Sequence, residues 1–486
     1  MIEQFAGPRF RLAFTCRFLE GEPMFVRVFL SAAAGLASVL VLQHALAFPV
    51  EGVNTSLPVG TELDDDAVDQ PREQFHSEAI EGQKSYLVKL GNMAFNTPAI
   101  LGGTALKGDV SCGTCHINGT SNGKLFIPGL AIRPGSFDTS SALFNPKAEN
   151  FVLDPVRVPS LRGARFLAPY GNDGRKESLR DFVRTVIVDE FSGPDPAPAV
   201  LDAIVAYIED IDFLPNPRIT IGGKLAVGAS ASERRGEALF KKPFPHDAEL
   251  SCAGCHIPSA AFVDNKRHDV GSGGLYKTPT LLNANFNAPY FHDARFTTFD
   301  QVVDYFDRSF TLGYSAQDRT DMVAYLKAIG DATQPYEHIT TAILLQDIFD
   351  FASTLGTAIQ AHDNGIITLT VAAVGGDLGD LMDRIPEQGA PGVSGGEKER
   401  DAARNALKEA VAILERVGSN AIAGKYDEAA REYQNYNHFI TVEVQPAVSR
   451  AEPWSLLNPP VHDAHYAALR QQLVAHHRLP AESAAK

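Results

Sequence analysis

Cysteine is scarce in this chain of 486 residues: there are five, and four fall in two short clusters, so little is left for any other disulfide framework. Tryptophan occurs once, as Trp454. Positive charge is in deficit, with 43 Lys and Arg against 59 Asp and Glu. The formal charge of −16 argues against a nucleic-acid binder, whose contacts need basic faces. It suits a basic protein partner drawn in by long-range attraction, and it equally suits plain solubility.

The apolar segment 28–42, closed by Gln43 and His44, is shorter than the roughly 20 residues that cross a bilayer. With Arg27 before it and Ala45-Leu46-Ala47 after it, the segment reads as a secretory signal cleaved after Ala47. Residues 1–47 are then a signal peptide, with 1–23, including Cys16, an over-extended start. The expected mature chain is periplasmic and has no stable membrane span.

What is present is the pattern Cys-x-x-Cys-His, twice, as Cys112-Gly-Thr-Cys115-His116 and Cys252-Ala-Gly-Cys255-His256. This is the attachment signature of c-type haem. Two thiols one helical turn apart can form thioethers with the two vinyl groups of one porphyrin, and the adjacent imidazole reaches the iron as proximal ligand. The expectation is two covalently bound haem c groups in a redox protein. A zinc ribbon also pairs such motifs, but its halves lie about 15–20 residues apart. Here they are well over a hundred apart, and each runs straight into His. Local disulfides or a thioredoxin-like motif would leave both histidines as coincidences. Bacteria attach haem c outside the cytoplasmic membrane, which agrees with export.

The surroundings of the first motif recur around the second. Pro159-Ser-Leu-Arg-Gly-Ala-Arg-Phe-Leu-Ala-Pro-Tyr-Gly-Asn-Asp-Gly-Arg175 aligns without a gap to Pro279-Thr-Leu-Leu-Asn-Ala-Asn-Phe-Asn-Ala-Pro-Tyr-Phe-His-Asp-Ala-Arg295, with nine of seventeen positions identical. Upstream, Gly91, Phe95 and Pro98 echo Gly236, Phe240 and Pro243; downstream, Val205-Ala-Tyr207 echoes Val323-Ala-Tyr325. The apolar spacing of Leu201, Ile204, Val205 and Ile208, and of Met322, Val323 and Leu326, reads as helix. Between motif and repeated proline the first half carries 20 extra residues, rich in Gly, Ser and Pro, which should shape the first haem's surroundings.

The expected fold is mainly α: tandem cytochrome c-like haem domains at 48–225 and 226–333, from an internal duplication, then an appended helical domain at 334–486. Within the last, 336–385 and 397–450 look helical, separated by the Pro/Gly-rich linker 386–396. Its role would be docking, dimerisation into a homodimer, or covering a haem edge. His438, His462, His465, His476 and His477 read as scattered surface histidines rather than a metal site.

With Phe262-Val-Asp264-Asn265, His268, Lys277-Thr-Pro-Thr-Leu281 and Ala288-Pro-Tyr-Phe-His-Asp-Ala-Arg295 around the second motif, the sequence resembles the bacterial di-haem cytochrome c peroxidases and their MauG-type relatives. The first half matches more loosely, through its haem motif and Asp173-Gly174-Arg175, and the likeness spans roughly residues 85–330. It implies a helical fold with one haem per domain: peroxide reacts at the first, and the second receives electrons from an outside donor. His116 and His256 become the proximal ligands.

The departures from the family pattern are informative. No histidine lies between His116 and His246, so the family's distal histidine is missing and the first haem should keep an open sixth position, as in the MauG branch. The family's acid–base glutamate corresponds to Glu190, with Asp189 as neighbouring alternative and a solvated acid at a helix end as the bland reading. The second haem's sixth ligand, methionine or tyrosine in the family, falls at Phe306, which cannot ligate. Tyr305 is the expected substitute, although one residue is about 100° round a helix; Tyr314 and Met322 are further candidates. The family's tryptophan between the haems is replaced by Asn172, leaving Tyr170 or Tyr290 as oxidisable rings, if they are not loop anchors. The family's interdomain calcium finds the carbonyls of Asn287 and Pro289 in register, but Arg157 stands at the first-domain asparagine, where a guanidinium can substitute for the ion's charge.

The resemblance implies a hydrogen-peroxide-reducing cytochrome c peroxidase fed by a small cytochrome c or cupredoxin. A MauG-like oxidation of a protein substrate or organic molecule is the second enzymatic version, and a non-catalytic di-haem electron carrier the third reading.

Overall fold

The computed structural model describes residues 57–63, 70–390 and 392–475. The expected signal segment and Cys16, His476 and His477 lie outside the described residues. The fold is mainly α, as expected, with 52% of residues in helix against 5% in strand.

Two stretches repeat one arrangement. The first comprises α1 (Tyr86–Asn96), α2 (Cys112–Cys115), α3 (Leu179–Thr185) and α4 (Pro198–Asp210); the second comprises α5 (Ala231–Lys241), α6 (Cys252–Cys255), α7 (Phe299–Ser309) and α8 (Ala316–Ile329). Serine or threonine starts equivalent helices. Ser85 caps α1 and Ser230 caps α5, while Ser178 and Thr298 cap α3 and α7, each hydroxyl accepting from an orphan N–H of the first turn. Each stretch also holds a two-residue antiparallel pair, β1 (Ser136–Phe137) with β2 (Val156–Arg157), and β3 (Arg267–His268) with β4 (Tyr276–Lys277).

The repeated residues make repeated contacts. Gly91 lets α1 cross α4 at close range, since a Cβ there would lie 1.9 Å from Ala203 O; Gly236 does the same between α5 and α8, with 2.1 Å to Asp321 O. Next to each glycine, Phe95 packs on Tyr207 with centroids 5.0 Å apart, and Phe240 on Tyr325 at 5.1 Å. The same phenylalanines reach the motif histidines, His116 at 6.1 Å and His256 at 6.4 Å. In the matched loops Gly163 and Asn283 both turn the chain with φ near +60°, and the Ala168-Pro169 and Ala288-Pro289 bonds are both cis.

Beyond residue 340 come α9 (Thr341–Gln360), α10 (Asn364–Asp383), α11 (Glu397–Ile422), α12 (Tyr426–Phe439), α13 (Gln445–Ala451) and α14 (Pro459–Ala475). The expected helical stretch 336–385 thus breaks at 361–363, and the second breaks at 423–425 and then runs on through a π-helical turn at Ile440–Val444. The apolar faces of this bundle form one core with Leu90 and Met93 of α1 and Ala203 of α4. Ion pairs seal the contact: Lys84 reaches Asp347 at 2.6 Å and Lys89 reaches Asp350 at 3.1 Å. By length and composition α9 and α10 could cross a membrane, but half of one and 44% of the other is buried in this core. His438, His462 and His465 join no metal-binding group among the described residues.

Candidate active site

A continuous cavity of about 530 Å³ is lined by both Cys-x-x-Cys-His motifs. Its walls come from the two repeated stretches; none of the described residues beyond 326 lines it, so the appended bundle backs α1 and does not cover the cavity. On the first side the lining is mostly apolar, with Phe95, Phe137, Val183, Ile187 and Ile204.

The residues at each motif fit a haem. His116 Nδ1 lies 2.9 Å from Pro159 O, and His256 Nδ1 lies 3.0 Å from Phe262 O. A carbonyl can only accept, so Nδ1 carries the proton and Nε2 keeps the lone pair that a metal requires. Burial pushes His116 down to about 4 and lowers His256 too, so both imidazoles stay neutral at ordinary pH. Burial also pushes the thiols of Cys112, Cys115 and Cys252 up to about 12. The four motif cysteines are not gathered into one cluster, and none forms a disulfide. Lys277 lines the same cavity, and burial lowers its ammonium to about 8 with no carboxylate acting on it. It donates to the carbonyls of Leu167 and Pro169. A bound haem would bring two propionates, and Lys277 is a cation on the wall with which one could pair.

Glu190 lines the cavity on the first side. It ends a π-helical turn, Val186–Glu190, which continues α3; such turns recur at functional sites because the extra residue re-aims a side chain. Its carboxylate accepts from Arg175 Nη2, and its side chain is 13% exposed. Burial raises the Glu190 pKa, and the charge and hydrogen bond of Arg175 oppose that rise. Asp189 turns its carbonyl to the Asn145 amide and does not line the cavity. Arg175 was legible only as part of a motif; the structure makes it the partner of Glu190, with its guanidinium 4.9 Å above the Phe182 ring. The 20-residue expansion contributes as expected: its Phe137 and Thr139 line the cavity, and Phe137 stacks on Phe191 at 5.9 Å.

The second side corrects one expectation. Phe306 lines the cavity, whereas Tyr305 does not. Its hydroxyl donates to Val270 O at 2.8 Å, and its ring meets Phe291 edge-on at 4.8 Å. The 100° step between neighbours on α7 leaves room for only one of the two to face inward, and the apolar ring takes that place. Tyr314 and Met322 do line the cavity, together with His268 and His292. Tyr170 and Tyr290 line it as well, but their hydroxyls donate to Ala164 O and Ala284 O, the anchoring role. Sequence reasoning missed Tyr276, which stacks on His292 with centroids 3.6 Å apart on the cavity wall. Its neighbour Lys277 donates its backbone N–H to Asn172 O, so this pair sits where the two stretches meet.

Comparison with known proteins agrees with this geometry. Residues 231–369 match the sequence model of the di-haem cytochrome c peroxidase family, a match that begins with α5 and runs through α9. The chain is 25% identical over 308 residues to hydrazine synthase subunit gamma of Kuenenia stuttgartiensis, covering 51% of this chain and 78% of that protein. It is 23% identical over 307 residues to the methylamine utilization protein MauG of Methylorubrum extorquens, covering 50% and 77%. It is 32% identical over 198 residues to the cytochrome-c peroxidase IdrP1 of a Pseudomonas strain, covering 28% and 50%. Residues 231–369 of this chain thus match the di-haem cytochrome c peroxidase family, and the proteins that the chain resembles include a MauG protein and a cytochrome-c peroxidase.

Proposed function

We propose that this protein reduces hydrogen peroxide at the first haem position, with Glu190 moving the proton. Cys112, Cys115 and His116 would hold the first haem and Cys252, Cys255 and His256 the second, both covalently. When bound, the haems supply the redox iron. Peroxide takes up two electrons and two protons and leaves as two waters, and breaking its O–O bond needs a group that carries a proton from one oxygen to the other. Glu190 Oε2 is that group in this reading, while Oε1 is held by Arg175. The single observation that carries the proposal is a buried carboxyl, clamped by a cation, lining the same apolar cavity as His116.

The electron donor we propose is a small cytochrome c or cupredoxin that meets the second stretch, and the location is the periplasm, on the strength of the signal-like residues 24–47. A MauG-like oxidation of a protein or organic substrate is favoured by one observation: apart from His116, no imidazole or thioether lines the first side of the cavity. The decisive experiment mixes the purified ferric holoprotein with stoichiometric peroxide and records its visible and EPR spectra. A high-spin haem that responds at once supports the enzyme. Two low-spin haems inert to peroxide would leave only an electron carrier.

A further inference from the structure

The interdomain calcium implied by the family resemblance does not fit the residues present. Asn287 O, one of the two carbonyls in register for it, accepts a hydrogen bond from Arg157 Nη2 at 2.8 Å. The Asn287 side-chain oxygen is also engaged, 2.7 Å from Thr120 Oγ1. Calcium takes six to eight oxygens and draws on carboxylates, yet no carboxylate acts on Arg157; Tyr290 is the one acidic group that does. The neighbouring cavity, lined by Ala288 and Pro289, carries Lys124, Arg133 and Arg295 and no Asp or Glu. A divalent cation would be repelled there.

Arg157 is also fixed on every side. Its backbone N–H donates to His292 O at 2.6 Å, and its own carbonyl accepts from the Asn172 amide at 2.7 Å. Through β2 it is paired with Ser136 of the first stretch. Its Nε is buried without a partner, so the guanidinium cannot simply swing out to water without losing its only bond to Asn287.

We propose that Arg157 is a built-in cation standing in for the interdomain calcium, so that this protein joins its two haem-binding stretches without a metal ion. A covalently held charge cannot be chelated or lost on dilution: the guanidinium holds the Asn287 carbonyl, while the backbone of the same residue joins the 172 loop and His292. The inference is independent of whether peroxide is the oxidant.

The test uses the purified holoprotein. It is dialysed against EGTA, and its thermal midpoint and visible spectrum are compared with those in excess calcium, with calcium binding followed by isothermal titration. No saturable calcium binding and an unchanged midpoint are expected. Micromolar binding, or a midpoint that drops by several degrees on chelation, overturns the proposal. Arg157→Asn removes the cation, so its midpoint should fall below the parent's in EGTA and in calcium alike, whereas Arg157→Lys, which keeps the charge, should stay closer to the parent and indifferent to calcium. An Arg157→Asn protein as stable as the parent also overturns it. Should that variant not accumulate with haem, the calcium titration of the parent protein decides alone.

Discussion

Glu190→Gln isolates the proton-transfer role. Glutamine keeps the volume, and its amide oxygen can still accept from Arg175. Arg175 is 36% exposed and also pairs with Asp173 at 3.2 Å, so weakening its pair with the less exposed residue 190 costs on the order of 1 kcal/mol. The turn itself is held through the Asp189 carbonyl by Asn145, not through the 190 side chain. What disappears is the proton carrier. A positioned general acid–base is worth roughly 10²–10⁴-fold, or about 3–5 kcal/mol of barrier. The assay is stopped-flow mixing of ferric holoprotein with excess peroxide over a range of pH, with haem content measured in parallel. The sign follows from burial, which raises the Glu190 carboxyl above its ordinary 4.5 against the pull of Arg175. Only the ionised form accepts a proton, so the rate should fall as pH drops through that raised value. The glutamine variant should be slow and lack this limb. Arg175→Leu removes the opposing cation, so the limb should move to higher pH. A glutamine variant with the parent rate and the same acid limb would refute the reasoning.

Other expectations follow from the same coordinates of charge and packing. Cys252→Ala combined with Cys255→Ala should leave one covalent haem per chain by intact mass, on the first motif; retention of two would show that attachment does not use these thiols. Gly91→Ala forces a methyl against Ala203 O and should destabilise the fold by about 1–3 kcal/mol in denaturant unfolding, and Gly236→Ala should do the same against Asp321 O. A neutral result at either position would mean the two helices can separate freely. Tyr305→Phe loses the bond to Val270 O and should cost about 1 kcal/mol while leaving the visible spectrum of the second haem unchanged. A spectral change would show that Tyr305 reaches the iron.

The two Cys-x-x-Cys-His motifs were legible because their pattern is local: two thiols and an imidazole within five residues need no tertiary information. The matching contacts of the two stretches were legible for a similar reason, since Gly91, Phe95 and Tyr207 recur as Gly236, Phe240 and Tyr325 and each set packs in one way. Tyr305 was not, because a one-residue shift on α7 is decided by whichever ring the surrounding phenylalanines accept, and periodicity alone does not distinguish Tyr305 from Phe306. The pairing of Glu190 with Arg175 was hidden too. They are 15 residues apart, and the π-helical turn that aims Glu190 has no signature in composition. The seat of the appended bundle depended on Lys84 and Lys89 meeting Asp347 and Asp350 across more than 250 residues of chain, a separation no local pattern encodes.

The difference between the two sides of the cavity argues for a division of labour. Counted from the equivalent caps Ser178 and Thr298, Glu190 and Phe310 stand at the same step, and both line the cavity. Phe310 stacks on Phe306 at 5.8 Å and meets Phe244 at 5.2 Å, giving an apolar wall with no proton to offer. The first side instead has its acid, the cation that restrains it, and an expanded loop whose Phe137 and Asn145 brace the turn that carries it. At this matched step the first side offers a carboxyl and the second an apolar ring, although His268 and His292 also line the second side. Reduction of a peroxide needs such a carboxyl, whereas passage of electrons alone does not. Transplanting the acid is the direct check: Phe310→Glu should not create a second peroxide-reactive centre, because the π-helical turn and the bracing loop have no counterpart beside it, and Arg295, the equivalent of Arg175, is paired with Asp293. A second reactive centre in that variant would mean that the carboxyl alone, without its restraints, is sufficient.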